Sequence, residues 1–132
     1  MSEIIVSIRD LVKSYGTQRV LHGVSFDLYR GKTNVIIGPS GSGKSVLMRQ
    51  LIRLEEPDSG AILFDGQDIA KVEGRALSML RRRFGMVFQH SALFDFMNVF
   101  ENVAFPLREH TTLSRGEIRD RVEERLDSLG IL

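Results

Sequence analysis

Apolar and polar residues alternate in two stretches near the N-terminus, over residues 4–9 and again over about 20–29. A period of two places successive side chains on opposite faces of a strand, so both stretches are predicted to be half-exposed antiparallel strands. Turn-forming residues separate them at 14–17, and a second turn is predicted at 30–32. The N-terminal part of the chain therefore predicts an antiparallel sheet.

The middle of the chain has a different pattern, with continuous apolar runs. Residues 33–37 end in β-branched apolar side chains, which is typical of a strand buried on both faces, and 46–54 are apolar nearly all round a helix. A loop at 55–60 and a strand at 61–64 follow. Beyond them the sequence predicts a hairpin turn at Asp65-Gly66, a short helix near 75–82 and a strand at 85–88. This mixture of strands and helices indicates an α/β fold.

The last third of the sequence predicts helices. Residues 98–107 are apolar and aromatic, and this segment is predicted to end at Pro106. Ser114 and Glu117 have the spacing of a capping box at the start of a second helix. Gly130 is predicted to end that helix. Its apolar stripe is predicted to consist of Ile118, Val122, Leu126 and Leu129.

Composition narrows the classes of partner. The 18 basic residues are nearly balanced by 17 acidic ones, so no nucleic-acid partner is predicted, and the short cluster at 81–83 is interpreted as a solvated helix end. The chain has no cysteine, which excludes disulfides, thiolate metal sites and cysteine nucleophiles. No apolar run approaches the ~18–20 residues of a spanning helix, so any membrane role is predicted to depend on a partner.

The strongest chemical signal is the segment 38–45, which reads Gly-Pro-Ser-Gly-Ser-Gly-Lys-Ser and matches the phosphate-binding loop G-x-x-x-x-G-K-[ST] (Walker A). Glycines allow backbone N–H groups to approach phosphate oxygens, Lys44 is predicted to reach the β- and γ-phosphates, and Ser45 to ligate Mg²⁺. A Gly/Ser-rich linker is the alternative, but a linker would not lie between a buried strand and a buried helix. The predicted nucleotide-binding residues of this loop are Gly38, Pro39, Ser40, Gly41, Ser42, Gly43, Lys44, Ser45 and Val46.

Three segments in order resemble the ATPase subunits of ABC transporters: the aromatic turn at Tyr15, the loop at 38–45, and Met-Val-Phe-Gln at 86–89. The resemblance covers residues 4–132. It implies that Tyr15 stacks on adenine and that Gln89 contacts Mg²⁺ and the attacking water. Lys44 and Gln89 are then the catalytic residues and Ser45 and Gln89 the metal ligands. The purely structural alternatives are a sheet-edge tyrosine and a strand-end glutamine.

Residues 89–110 further resemble the Mla-type phospholipid transporter ATPases of Gram-negative envelopes. This implies the N-terminal portion of a P-loop NTPase, with an antiparallel β subdomain and nucleotide-binding core over 1–95 and the start of a helical subdomain over 96–132. It also implies ATP and Mg²⁺, a transmembrane permease subunit, and a second ATPase subunit in a homodimer. The implied location is the cytoplasmic face of the inner membrane, reached through the partner.

Three motifs of that family are sought and not found: the Leu-Ser-Gly-Gly-Gln signature, the apolar strand ending in Asp-Glu, and the late switch histidine. The segment at 113–117 superficially resembles the signature and is interpreted as a capping box. The segment at 61–65 superficially resembles the apolar strand with its Asp and is interpreted as a strand entering a hairpin turn. The expectation is that the chain stops inside the helical subdomain and that these 132 residues have negligible ATPase activity.

Three other functions stay open at this point. One is the ATPase of another ABC branch, such as an amino-acid or lipoprotein exporter. A second is a nucleotide-binding or interaction module without catalysis. A small nucleotide kinase is the third, but it needs a second substrate site and a basic lid, for which residues 81–83 are a poor substitute.

Overall fold

The computed structural model describes residues 3–90 and 92–132 and divides the chain into two compact units, Met1–Gly85 and Met86–Leu132. The first unit contains one four-stranded antiparallel sheet in the order β2-β1-β3-β4. Its strands are β1 (Ile4–Tyr15), β2 (Gln18–Tyr29), β3 (Ser59–Phe64) and β4 (Gln67–Asp68). The predicted antiparallel sheet and mixed α/β class are confirmed.

The β1–β2 hairpin is longer than the alternation predicts, because a bulge interrupts the period of two. The register shifts between Ile8 and Leu11, and Asp10 at the shift has a left-handed φ of 47°. Its backbone N–H donates to Ser25 Oγ on β2 at 2.7 Å. Beyond the bulge the strand continues to Tyr15, which pairs with Gln18 across a two-residue turn.

Gly60 on β3 lies against this bulge. Its φ is 93°, and a Cβ there would lie 2.5 Å from the Asp10 carbonyl oxygen and 2.6 Å from that of Arg9. Only glycine fits both the backbone conformation and the close approach.

Helices pack on the sheet to form the core of the first unit. They are α1 (Lys44–Leu51), a 3₁₀ turn (Ile69–Lys71) and α2 (Gly74–Arg81). The predicted helix near 75–82 and the turn at Asp65-Gly66, where both residues have positive φ, are confirmed. The buried core consists of Val6, Ile8, Leu11, Leu21, Leu47, Leu51, Ile62, Phe64, Ile69, Val72 and Leu80.

The predicted strands at 33–37 and 85–88 are wrong, because neither segment forms a strand. Val35, Ile37 and Val87 are 75%, 89% and 96% exposed. A strand buried on both faces needs hydrogen-bonded neighbours and a layer on each side. Within the described residues, the strands belong to the antiparallel sheet and none pairs with either segment.

Residues 81–83 lie exposed at the C-terminal end of α2, as the interpretation of a solvated helix end predicts, and two of the arginines also make contacts that the sequence did not predict. Arg81 donates from Nε to the Ile52 carbonyl at 2.9 Å and from a terminal nitrogen to that of Arg53 at 2.6 Å. It therefore satisfies backbone groups just beyond α1. Arg83 forms an ion pair with Asp65, and its guanidinium lies 4.3 Å from the centroid of the Phe64 ring.

The second unit is a pair of packed helices, α3 (Val99–His110) and α4 (Arg115–Ser128). A capping box opens each helix, formed by Asn98 with Glu101 in α3 and, as predicted, by Ser114 with Glu117 in α4. The buried residues between them are Ala104, Ile118, Val122 and Leu126. None of the helices in the described part of the chain combines the length and the hydrophobicity that a membrane-spanning helix needs.

Two details of these helices differ from the prediction. Pro106 does not end α3, which continues to His110. Proline removes one helical hydrogen bond, and the packing of Ala104 and neighbouring side chains against α4 keeps the helix intact. Leu129 is 71% exposed instead of joining the apolar stripe, because it is the C-cap residue where Gly130 turns the chain with a φ of 68°.

The contact between Gly60 and the bulge yields a first prediction. Gly60→Ala should lower the free energy of unfolding by about 2–4 kcal/mol, since the new methyl group meets backbone oxygens and the left-handed conformation is strained. Gly66→Ala is the matched control: its φ is 78°, but nothing lies within 4 Å of an added Cβ. The Gly66→Ala substitution should cost about 1–2 kcal/mol.

Urea unfolding followed by tyrosine fluorescence measures the stability of both variants, since Tyr15 and Tyr29 lie in this sheet. Equal losses would contradict this account.

Asp65 yields a pH-dependent prediction. Hydrogen bonding to Arg83, with the charge of Arg30, holds the pKa of this carboxyl below its ordinary value. Its stabilising effect is therefore complete above the unfolded pKa of about 3.9 and is lost as the pH falls through the lower folded pKa. Asp65→Asn keeps a residue that tolerates the φ of 47° but removes the charge. The variant should unfold more easily than wild type at pH 7, and the difference should shrink below about pH 4. A difference that stays constant across this range would be inconsistent with the ion pairs.

Candidate functional site

The segment 38–45 forms a tight loop that leads directly into α1. Gly41 and Gly43 adopt left-handed φ values of 77° and 95°, which glycine accepts without strain. Inside the loop the Ser42 N–H donates to the Pro39 carbonyl at 3.2 Å, and the Leu47 N–H continues the helix by donating to that of Gly43 at 2.9 Å. The loop therefore ends at the N-terminus of a helix, where backbone N–H groups and the helix dipole favour anions.

Two glycines of the loop have close neighbours. A Cβ on Gly38 would lie 2.7 Å from Ser42 Oγ, and one on Gly43 would lie 2.9 Å from side-chain atoms of both Val20 and Leu21. Gly43 thus allows the loop to pack directly on β2. Tyr15 belongs to the same hairpin, paired with Gln18 two residues before Val20. The hairpin that carries Tyr15 and the phosphate-loop segment therefore belong to one packed structure.

Lys44 folds back over the loop. Its Nζ donates to the carbonyl oxygens of Gly38 at 2.6 Å and Pro39 at 2.7 Å, and reaches Ser42 Oγ at 3.3 Å. An ammonium group has three N–H donors, so oxygens of the loop itself account for its hydrogen-bonding capacity. This arrangement holds a positive charge against the backbone of the loop.

The other predicted loop residues lie in the same turn or in the first turn of α1. Pro39 and Ser40 are exposed, Ser45 is exposed in the first turn of α1, and Val46 is half-buried and packs against the core. Among the described residues no group of three or more His, Cys, Asp or Glu side chains is arranged to hold a metal. A loop that offers few oxygen ligands still fits Mg²⁺, because proteins commonly supply only one or two of the ligands of this ion and nucleotide phosphates and waters supply the others. The Ser45 hydroxyl is the oxygen donor that the loop offers.

Tyr15 stands at the end of β1 with its side chain tied to α1 through a carboxylate. It is 44% exposed, and its hydroxyl donates to Glu55 Oε1. The other Glu55 oxygen accepts from Arg49 Nε of α1 at 3.2 Å, and Lys13 Nζ lies 3.8 Å from Glu55. Lys13 also lies 5.5 Å from the centroid of the Tyr15 ring.

The pKa values of this group follow from these contacts. Partial desolvation and then the hydrogen bond to Glu55 raise the pKa of Tyr15. The hydrogen bond from Tyr15 and then that from Arg49 lower the pKa of Glu55, so Glu55 is a charged acceptor at neutral pH. Sequence reasoning missed Glu55 and Arg49. The available signal was the spacing of Arg49, four residues after Ser45 and thus on the same helix face.

Gln89 is exposed in an irregular segment of the second unit, since the strand predicted to precede it does not form. The other predicted site residues, Tyr15 and residues 38–46, all belong to the first unit.

Comparison with known proteins identifies the family. Residues 21–132 match the family described as ABC transporter. The chain is 44% identical over 128 residues to the "Probable ribonucleotide transport ATP-binding protein mkl" of Mycobacterium leprae, covering 97% of this chain and 37% of that protein. It is 41% identical over 127 residues to the "Intermembrane phospholipid transport system ATP-binding protein MlaF" of Escherichia coli K12, covering 96% of this chain and 47% of that protein.

Solved structures are similar in fold as well. One is cbiO1 from Clostridium perfringens, part of the ABC transporter complex cbiONQ, with 32% identity and a TM-score of 0.77 over 98% of this chain and 51% of that one. Another is the ATP-binding cassette MJ0796, a dimer in a post-hydrolysis state bound to ADP and Pi, with 30% identity and a TM-score of 0.83 over 93% of this chain and 56% of that one.

The chain spans less than half the length of the two curated relatives. The family match nevertheless covers most of its residues and includes the phosphate-binding loop, Lys44 and Gln89. The resemblance inferred from sequence is thereby confirmed, and this chain belongs to the ABC transporter family of ATP-binding proteins.

Proposed function

We propose that these residues are the nucleotide-binding part of an ATPase subunit that couples MgATP binding and hydrolysis to phospholipid movement through a membrane partner. Residues 1–95 supply the groups that bind the nucleotide, and residues 96–132 begin the helical subdomain. The observation that carries the proposal is Lys44, whose ammonium lies within hydrogen-bonding distance of three oxygens of a glycine-rich loop at a helix N-terminus.

The loop suits a polyphosphate because its hydrogen bonds are exchangeable. Lys44 donates to neutral carbonyl and hydroxyl oxygens, whereas phosphate oxygens are negatively charged and add a Coulombic attraction to the ammonium. The β- and γ-phosphates therefore replace these partners with a net gain. The N–H groups at the start of α1 add further donors.

The remaining site residues take complementary roles. Tyr15 offers its exposed ring to adenine. By the family resemblance, the Ser45 hydroxyl and the Gln89 side-chain oxygen are the groups that would hold Mg²⁺. The chemistry that Mg²⁺ would supply there is neutralisation of the charge on the β- and γ-phosphates. Gln89 also orients the attacking water, and Lys44 stabilises charge on the γ-phosphate, which is electrostatic catalysis of phosphoryl transfer.

We propose further that these 132 residues bind MgATP without appreciable hydrolysis. The segment at 113–117 contributes Ser114 and Glu117 to a helix cap, so it does not offer the contact on the γ-phosphate that the signature makes. Asp65 lies in a hairpin turn and is ion-paired with Arg30 and Arg83. Neither segment supplies a carboxylate free to orient water.

The names of the relatives support a proposal for the cargo and partners. The printed name of the Escherichia coli relative supports phospholipid transport, and the MJ0796 dimer supports a second ATPase subunit. The subunit would then sit on the cytoplasmic face of the inner membrane, bound to a permease. A second candidate is ribonucleotide transport, favoured by the 44% identity to the mycobacterial relative. ATP-dependent transfer of phospholipid or of ribonucleotide, by vesicles that contain the complete subunit and its membrane partner, separates the two.

Lys44 provides the test of nucleotide binding. Lys44→Ala should weaken MgATP binding to the full chain about tenfold or more in calorimetry, since it removes a charged hydrogen-bond donor. Lys71→Ala is the matched control, because it removes the same type of side chain outside the phosphate loop. The Lys71 side chain is 82% exposed, and its ammonium lies 3.7 Å from Asp68. The control should bind like wild type.

Equal affinities of wild type and Lys44→Ala would remove the nucleotide role. Release of inorganic phosphate, measured on the same wild-type samples, should stay at the background of the assay. Steady turnover by these residues would refute the proposal that they bind without hydrolysis.

A further inference from the structure

The Glu55 carboxylate bridges two elements of the first unit. One of its oxygens accepts from the Tyr15 hydroxyl at the end of β1, and the other accepts from Arg49 Nε on α1 at 3.2 Å. Its side chain is only 18% exposed. Both oxygens therefore have defined partners, and the bridge joins the tip of the hairpin to the helix that begins at the phosphate loop.

The position of Arg49 links this bridge to the loop. Arg49 follows Ser45 by four residues within α1, so the two side chains lie on one helix face, one turn apart. Gly43, the N-cap of α1, packs against Val20 and Leu21 of the same hairpin. The hairpin tip is thus connected to the start of α1 from two sides, by backbone packing and by the carboxylate bridge.

The bridge fixes the Tyr15 side chain by its hydroxyl and leaves 44% of the residue exposed. An untethered surface tyrosine loses rotamer freedom when it packs against a ligand, which weakens binding. A ring that is held beforehand avoids much of that loss. The hydroxyl is engaged by Glu55 and Lys13 Nζ lies 5.5 Å from the ring centroid, so the exposed part of the ring is what remains available for contact.

We infer that Glu55 is a positioning residue for the nucleotide base: together with Arg49 it holds Tyr15 in the orientation in which the ring stacks on the base. The inference rests on the proposed nucleotide-binding function. It assigns a role to a residue outside the phosphate loop and predicts that base contact and phosphate contact respond to different substitutions.

The adjacent residue offers a matched control. Glu56 accepts from Arg53 Nε at 2.8 Å and forms no hydrogen bond with Tyr15 among the described residues. Glu55→Ala and Glu56→Ala therefore remove the same group from neighbouring positions of one loop. Glu55→Gln keeps an oxygen that accepts from Tyr15, and Tyr15→Phe removes the hydroxyl while keeping the ring.

The experiment compares calorimetric affinities of the full chain for MgATP and for magnesium tripolyphosphate, which has no base. Glu55→Ala and Tyr15→Phe should each weaken MgATP binding about two- to tenfold and leave tripolyphosphate binding unchanged. The double variant Tyr15→Phe/Glu55→Ala should be no weaker than either single variant, because both remove the same interaction. Glu55→Gln should recover most of the affinity, and Glu56→Ala should match wild type with both ligands.

A spectroscopic titration tests the contact itself. In a Tyr29→Phe background, where Tyr15 is the remaining tyrosine, Glu55→Ala should lower the pKa of Tyr15 toward its ordinary value of about 10. Wild-type affinity of Glu55→Ala for MgATP, or an equal loss for both ligands, would overturn the positioning role. A wild-type chain that binds neither ligand would instead refute the proposed function, so the two failures are distinguishable.

Discussion

The hydrogen bonds of the Lys44 ammonium with the loop that precedes it are the interaction on which the site depends. They draw the Gly38 and Pro39 carbonyl groups toward one cation and close the loop into a compact turn. The turn is possible because Gly41 and Gly43 adopt conformations that other residues avoid. A positive charge and a helix N-terminus are thereby placed together, which is the arrangement that a polyphosphate requires.

The sheet beneath the loop gives this arrangement its position. Gly43 packs on β2, and the bulge at Asp10 lets β1 continue to Tyr15 while β3 approaches closely at Gly60. The Glu55 bridge then ties the end of the hairpin to α1. Predicted base contact and predicted phosphate contact thus depend on one connected set of elements in the first unit.

Sequence predicted best what local chemistry determines. The phosphate loop, the turn at Asp65-Gly66 and the capping box at Ser114 each depend on residues within a few positions of one another, and the structure has each of them. Segments 33–37 and 85–88 were mispredicted because a buried strand is defined by its neighbours, which no local pattern reveals. The bulge at Asp10 was missed because it interrupts the alternation on which the strand prediction relied.

Long-range side-chain contacts account for the rest. Arg81 reaches carbonyl groups 28 and 29 residues earlier, and Tyr15 meets a glutamate 40 residues later. The sequence shows that such residues are charged or aromatic, but it does not show which of them contact each other. The most informative parts of the candidate site, Glu55 and Arg49, therefore emerged from the structure, whereas Lys44 and Ser45 were predictable from their motif.

Hydrogen–deuterium exchange of the full chain with and without MgATP tests the central claim most directly, because it reports on the loop residue by residue. If Lys44 and the N–H groups at the start of α1 hold the triphosphate, the amides of residues 40–46 should exchange more slowly with MgATP, while those of Arg115–Ser128 in α4 stay unchanged. Identical exchange of residues 40–46 in both samples, at MgATP concentrations far above those of the chain, would contradict the account.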